Sequence, residues 1–160
     1  MAHTRRPPAE QVTCGYLRFE YNTPKGDKEF HVLPLIQVSL QSETEELFTS
    51  ALLDSGATDT LVPMELAQIL SLEFRKGPGG KPVAIETTGA GGVFGCYIAR
   101  VKRIGCIKGK HAFASFFGRE VLVPSTYGAI PYMILGRNII FKAFDITFSE
   151  GRHKIVLTKP

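Results

Sequence analysis

Residues 51–63 read Ala-Leu-Leu-Asp-Ser-Gly-Ala-Thr-Asp-Thr-Leu-Val-Pro. An apolar run that drives straight into Asp54-Ser55-Gly56 sets a buried strand, a tight turn and a carboxylate at their junction. A buried carboxylate is costly unless its charge is shared or bound. A second carboxylate sharing one proton meets that need without any metal. Among the aspartates, Asp27, Asp59 and Asp145 do not precede Ser-Gly or Thr-Gly; Asp54 alone does. A shared-proton pair therefore requires two copies of the chain, each supplying Asp54, on the axis of a symmetric homodimer. The plainer alternative is an ordinary strand-turn with a solvated aspartate.

The chain has 160 residues, one domain's worth and enough for a sizeable core. Hydrophobic residues make up 44%, which argues against disorder throughout. We expect residues 1–13, polar and Pro-rich, to be a flexible N-terminal segment, and residues 14–160 to form a single domain. No stretch of about 18 apolar residues is present, so no membrane partner is expected. The N-terminus lacks the apolar core of a secretory leader. Cys14, Cys96 and Cys106 have no metal-ligand spacing, and their odd number points to reduced thiols in a cytoplasmic setting. Neither metal nor cofactor is expected. The net charge of +4 is spread over scattered basic residues without interleaved aromatics. It reads as a solvated basic face and does not specify nucleic acid.

Strand patterns dominate. In residues 14–22, Leu17, Phe19 and Tyr21 alternate with Arg18 and Glu20. Thr23 to Lys28 is a turn cluster, and residues 30–40 and 47–53 are further strand candidates. Pro63 followed by Met-Glu-Leu-Ala-Gln-Ile-Leu suits a short helix, as does Ile139 to Phe144. Two strand-forming runs around Gly89-Ala90-Gly91-Gly92 form a hairpin signature. A phosphate cradle would need a helix start after the glycines, and Val93 to Val101 reads as strand. Residues 111–117 and 120–123 are apolar runs, Pro124 to Pro131 a loop, and 145–148 with 153–158 a closing hairpin.

Asp54-Ser-Gly-Ala, the Gly-rich hairpin and Ile134-Leu-Gly-Arg-Asn, in that order, resemble the retropepsins, the dimeric aspartic proteases of retroviruses, whose relatives include cellular proteins. The similarity covers roughly residues 32–158 and extends to Pro34-Leu-Ile-Gln-Val-Ser-Leu, Lys81-Pro to Gly92, and Val121-Leu-Val-Pro. It implies an all-β, mainly antiparallel, acid-protease-like closed barrel with one or two short helices, assembled as a homodimer. It also implies an aspartic endopeptidase that cleaves extended peptide or protein substrates. Asp54 would be the catalytic carboxylate, with Ser55 bonding across the dimer and Gly56 admitting the substrate backbone. Leu52, Ala57 and Asp59 would line subsites. Ala90, Gly91 and Gly92 would form a flap tip, and Tyr132 and Ile134 would wall the cleft beside the scissile bond. For Leu52, Tyr132 and Ile134, plain core packing is an equal alternative. Leu135 and Gly136 would support the catalytic loop from below, and Arg137 would stand beside it.

The chain departs from the family pattern. Many viral members carry Asp where Thr58 stands, paired with the arginine after Leu-Gly; here the acid is displaced to Asp59. That leaves Arg137 to bind Asp59, a carbonyl or the neighbourhood of Asp54. The flap has extra residues near Thr87-Thr88, an extension precedes residue 32, and the loop around Ser125–Ile130 is long. Viral dimers often interleave their termini in one sheet, a role that Lys154 to Thr158 suits. The competing functional reading is a retropepsin-like dimer that binds peptide or protein without cleaving it.

Overall fold

The computed structural model describes residues 10–89 and 92–160. The strands are β1 (Gln11–Gly15), β2 (Leu17–Asn22), β3 (Lys28–Leu33), β4 (Leu35–Gln41), β5 (Glu46–Leu53), β6 (Ala84–Gly89), β7 (Gly92–Lys108), β8 (His111–Pro124), β9 (Met133–Leu135), β10 (Asp145–Ser149) and β11 (Lys154–Thr158). Two short helices, α1 (Met64–Ile69) and α2 (Ile140–Ala143), stand where the sequence places them. Pro63, with φ of −52°, caps the start of α1 and accepts the Ala67 N–H through its carbonyl. No helix among the described residues is long and apolar enough to cross a membrane.

The fold is all-β and mainly antiparallel, but among the described residues its strands form three sheets and no closed barrel. The largest runs β6-β7-β4-β5-β9, with β8 also paired to β7. Its centre, β4, buries Ser39 and the apolar Leu35, Ile36, Val38 and Leu40, while Gln37 stays exposed. Its polar residues, Gln37, Ser39 and Gln41, alternate with Ile36, Val38 and Leu40, which lie in the main core. Each such side chain contributes about 1.5–3 kcal/mol when taken out of water. The main core joins β4, β5, α1, β7, β8, β9, α2 and β11. A smaller cluster, Leu61, Cys96 and Leu122 with Ile85, Phe94, Ile98, Ile130 and Ile134 against it, lies apart from the main core.

Several expected elements differ in detail. The segment expected to be flexible reaches into structure, because Gln11 to Gly15 pair along β11 from Thr158 to Lys154. The rest of that segment, residues 1–9, lies outside the described residues. The expected strand over 14–22 breaks at Tyr16, whose N–H bonds the His153 carbonyl at 2.8 Å and whose ring stacks on His153 at 5.7 Å. The runs 111–117 and 120–123 are one strand, continuous through Gly118 at φ +58°. A register shift between Cys106 and Ile107 inserts Phe113, which packs edge-on against Phe144 at 6.1 Å. The closing hairpin forms as expected, with β11 paired to β10. Because β1 takes the other edge, β11 is bonded on both sides within one chain. It offers no free edge for the interleaving to which its sequence is suited.

Candidate active site

β5 ends on Leu53, which is buried and donates its N–H to the Pro34 carbonyl at 3.1 Å. The next residue, Asp54, donates its N–H to the Leu135 carbonyl at 3.2 Å, tying the loop to β9. The chain then turns sharply. The Asp54 carbonyl accepts the Ala57 N–H at 3.2 Å, and Asp54 Oδ1 accepts the Gly56 N–H at 2.8 Å. This is an Asx-type turn in which the carboxylate is aimed by its own loop. A Cβ on Gly56 would sit 3.1 Å from that oxygen, so glycine leaves the carboxylate room. In the single chain Asp54 is half-buried, and Ser55 and Gly56 are exposed. The fully buried setting expected from the apolar run is therefore not complete within one chain.

The loop is held from below by a buried network. Leu61 exchanges two hydrogen bonds with Ile134 at 2.9 Å each, and Val62 and Thr60 bond the two sides of Leu122 at 2.9 Å. The chain leaving Asp54 is thus threaded between β8 and β9. Thr60, completely buried, accepts the Gly136 N–H through Oγ1 at 3.2 Å and donates to Asn138 Oδ1 at 2.8 Å. Gly136 has no room for a side chain: a Cβ there would overlap the Asp59 carbonyl group. Leu135 is fully buried behind the loop.

The Arg137 side chain takes a partner outside the options read from the sequence. The backbone N–H of Arg137 bonds the Ala57 carbonyl at 2.9 Å and its Nη2 donates to Thr58 Oγ1 at 3.0 Å. The guanidinium therefore meets the hydroxyl at position 58 rather than an acid, and the next residue, Asn138, bonds the Thr58 carbonyl at 3.0 Å.

A cleft of about 820 Å³ opens over this loop. Leu52, Asp54, Gly56, Ala57 and Asp59 line it from one side, Ile134 of β9 and Tyr132 just before it from another, and Thr87 to Gly89 with Val93 and Phe94 from the β6–β7 hairpin. Tyr132 and Ile134 are half-buried, and Ile134 also packs against the smaller core cluster. Asp54 and Asp59 are the charged side chains of this lining among the described residues. Beneath them, the Cys96 thiol is pushed up to about 11, first by burial and then by the charge of Asp59. Ser55, Leu135, Gly136 and Arg137 stand outside the lining, and so does Gly92 at the hairpin tip. Ala90 and Gly91 lie outside the described residues.

Sequence reasoning missed Thr60, Leu61, Phe94 and Ile130. Thr60 is one polar residue beyond Asp59, and the small signal was its place just before the apolar Leu61-Val62. Phe94 and Ile130 carry no local mark, because only the approach of the hairpin and the long loop makes them lining residues.

No protein-family model and no curated protein matches the chain. Among solved structures, it is similar to a retropepsin-like aspartic protease from Rickettsia conorii, at 13% identity over 98% of each chain with a TM-score of 0.50. It is also similar to EIAV protease complexed with the inhibitor HBY-793, at 26% identity over 69% of this chain and 86% of that one with a TM-score of 0.46. The first likeness spans the whole architecture, from β1 to β11, and at that identity it is a likeness of fold: this chain has the retropepsin-like fold.

Proposed function

We propose that the protein is an aspartic endopeptidase whose catalytic pair is Asp54 and the Asp54 of a second copy. The observation that carries this reading is the loop itself: a carboxylate aimed by the Gly56 N–H at the floor of a cleft walled by β9 and a glycine-tipped hairpin. The exposure of Ser55 and Gly56 in one chain fits a loop that meets its copy across a two-fold axis.

Two adjacent carboxylates cannot both ionise easily, so the pair holds one proton. The charged Asp54 removes a proton from the attacking water. The protonated Asp54 of the other copy polarises the scissile carbonyl and later gives a proton to the leaving amine. The apparent pKa values belong to the pair, and the rate profile is a bell on the acid side of neutral. The β6–β7 hairpin acts as a flap that closes over the substrate, excludes water and bonds its extended backbone. Leu52, Ala57, Asp59, Tyr132 and Ile134 form subsites, and the apolar ones favour apolar side chains.

The test is digestion of an unfolded protein mixture, read by mass spectrometry across about pH 3.5–7.5, the range in which such a pair titrates. Asp54→Asn keeps the oxygen that accepts the Gly56 N–H and so keeps the fold. We expect its cleavage to fall at least about a thousandfold, since it removes the base from a two-carboxylate mechanism. A statine-type mimic should abolish wild-type cleavage as well. A wild-type dimer that cleaves nothing at any pH would overturn the proposal in favour of a peptide-binding module.

A further inference from the structure

The β2–β3 hairpin precedes the part of the chain that carries every motif discussed so far. It forms a sheet of its own, paired from Leu17–Leu33 to Asn22–Lys28. A lone two-stranded hairpin is marginal in water and needs a surface to lie on. Burial along β2 shows which face finds one: Leu17, Phe19 and Tyr21 are half-buried, while Arg18, Glu20 and Asn22 are exposed. The outward face keeps itself in order, with the Arg18 guanidinium 3.4 Å over the Phe30 ring and Lys28 bridged to Glu20 at 2.7 Å.

The inward face meets the cleft. The Phe19 ring packs edge-on against Tyr132, with centroids 5.0 Å apart and planes at 85°. This is the favourable arrangement for two aromatic quadrupoles. Tyr132 in turn lines the cleft above Asp54. The chain path agrees: the hairpin runs through Pro34 into Leu35, and Leu35 pairs with Leu52, another lining residue. One rung beyond Phe19, the hairpin is stiffened by Tyr21, whose ring stacks on His31 at 4.9 Å and whose hydroxyl donates to Glu29 at 2.5 Å.

We propose that the β2–β3 hairpin is part of the substrate site, with Phe19 as a positioning residue that fixes the Tyr132 ring and so sets the side-chain preference of the subsite that Tyr132 walls. This rests on the endopeptidase reading. The substrate group concerned is a bulky apolar side chain of an extended peptide, because Ile134, Ile130 and Phe94 line the same cleft. Phe19 touches no reacting atom. Without it, Tyr132 is free to turn, and the subsite loses its shape while the carboxylate loop, held through Leu135 and Thr60, keeps its own.

The experiment compares wild type, Phe19→Ala, Phe19→Leu, Phe19→Tyr, Tyr132→Ala and the double Phe19→Ala/Tyr132→Ala variant. The substrates are a peptide series that varies one side chain around the scissile bond from Gly to Phe, and thermal unfolding is followed in parallel. We expect Phe19→Ala to lower kcat/KM by about tenfold for bulky residues, the scale of an aromatic pair. Peptides with Gly or Ala there should change less than about twofold, since they do not reach the Tyr132 ring. Phe19→Tyr should keep the wild-type profile, and the double variant should lose no more than Tyr132→Ala alone. If Phe19→Ala does not fold, the contrast between Phe19→Leu (altered profile) and Phe19→Tyr (retained profile) decides. An unchanged profile, or an equal loss for every peptide, overturns the proposal. A wild type that cleaves nothing overturns the endopeptidase reading instead. The hairpin proposal is then decided by the affinities of statine-containing peptides carrying the same side-chain series, with the same expected pattern. A wild type that neither cleaves nor binds overturns both.

Discussion

At the scale of single residues, the candidate site depends on atoms that have no alternative. Thr60 is the clearest. Its hydroxyl satisfies two groups at once, the Gly136 N–H and Asn138 Oδ1, in a buried place that water does not reach. Thr60→Val keeps the shape and removes both bonds, leaving the buried Gly136 N–H unpaired at about 1–3 kcal/mol and the half-buried Asn138 Oδ1 without its donor. We therefore expect Thr60→Val to lower the unfolding temperature by several degrees and Thr60→Ser to restore most of it, as calorimetry would read. Equal stability of Thr60→Val and wild type would show that the network is idle. Gly136 belongs to the same account, since the Asp59 carbonyl occupies the space its Cβ would need. Leu-Gly was legible in the sequence as a motif; Thr60 was not, because a threonine in a loop looks alike whether solvated or wholly buried.

At the scale of elements, the β6–β7 hairpin is the part of the cleft that we propose closes as a flap. Its strands pair up to Gly89 and Gly92, and Gly92 has φ of +106°. That backbone conformation is strained for any residue with a Cβ. Gly92→Ala should raise amide exchange along β6 about fivefold or more, by the roughly 1 kcal/mol or more of strain put into the tip. The strain is released when the whole molecule opens as well, so exchange in β4, whose strands open only with the whole molecule, should rise by no more than the same factor. Unchanged exchange along β6 would show that the tip carries no such strain. The hairpin was readable from two strand-forming runs around glycines. The partition of the N-terminal run into β1 and β2 was not, because the break at Tyr16 comes from a bond to His153, remote in sequence.

At the scale of the whole molecule, two consequences follow from how the chain closes on itself. The first concerns β1, which covers one edge of β11. Deleting residues 1–15 should bare that edge, and an unpaired strand edge is a template for another chain. We expect the shortened protein to self-associate at concentrations where the full chain does not gain mass, as sedimentation velocity would measure. Unchanged sedimentation would show that β1 does not guard the edge. The second concerns alkaline stability. Burial, then the charge of Cys14, pushes the Cys106 thiol up to about 12, and burial with Asp59 pushes Cys96 up to about 11. Unfolded thiols ionise nearer 9.0. From there upward the unfolded chain has lost protons that the folded chain keeps, so stability is fully present below about pH 9 and falls as pH rises toward 12. Urea unfolding at about pH 8 and about pH 10.5 should show that fall, and Cys106→Ala should make it shallower. An equally steep fall in Cys106→Ala would mean that the thiol is not its source.

What the sequence by itself determined is the local and the periodic: the apolar strand into Asp54-Ser55-Gly56, the β character of nearly every run, both short helices, the glycine hairpin and the order of motifs that marks the retropepsin-like fold. These follow from side-chain spacing and turn chemistry within a few neighbours. Only the tertiary structure decided what long-range approach controls. It brought Arg137 to Thr58, buried Thr60 under Gly136, laid β1 along the second edge of β11 and laid Phe19 on Tyr132. Each of these joins segments separated by tens of residues, and the free energy that selects them comes from packing and hydrogen bonding between surfaces that exist only once the chain has folded.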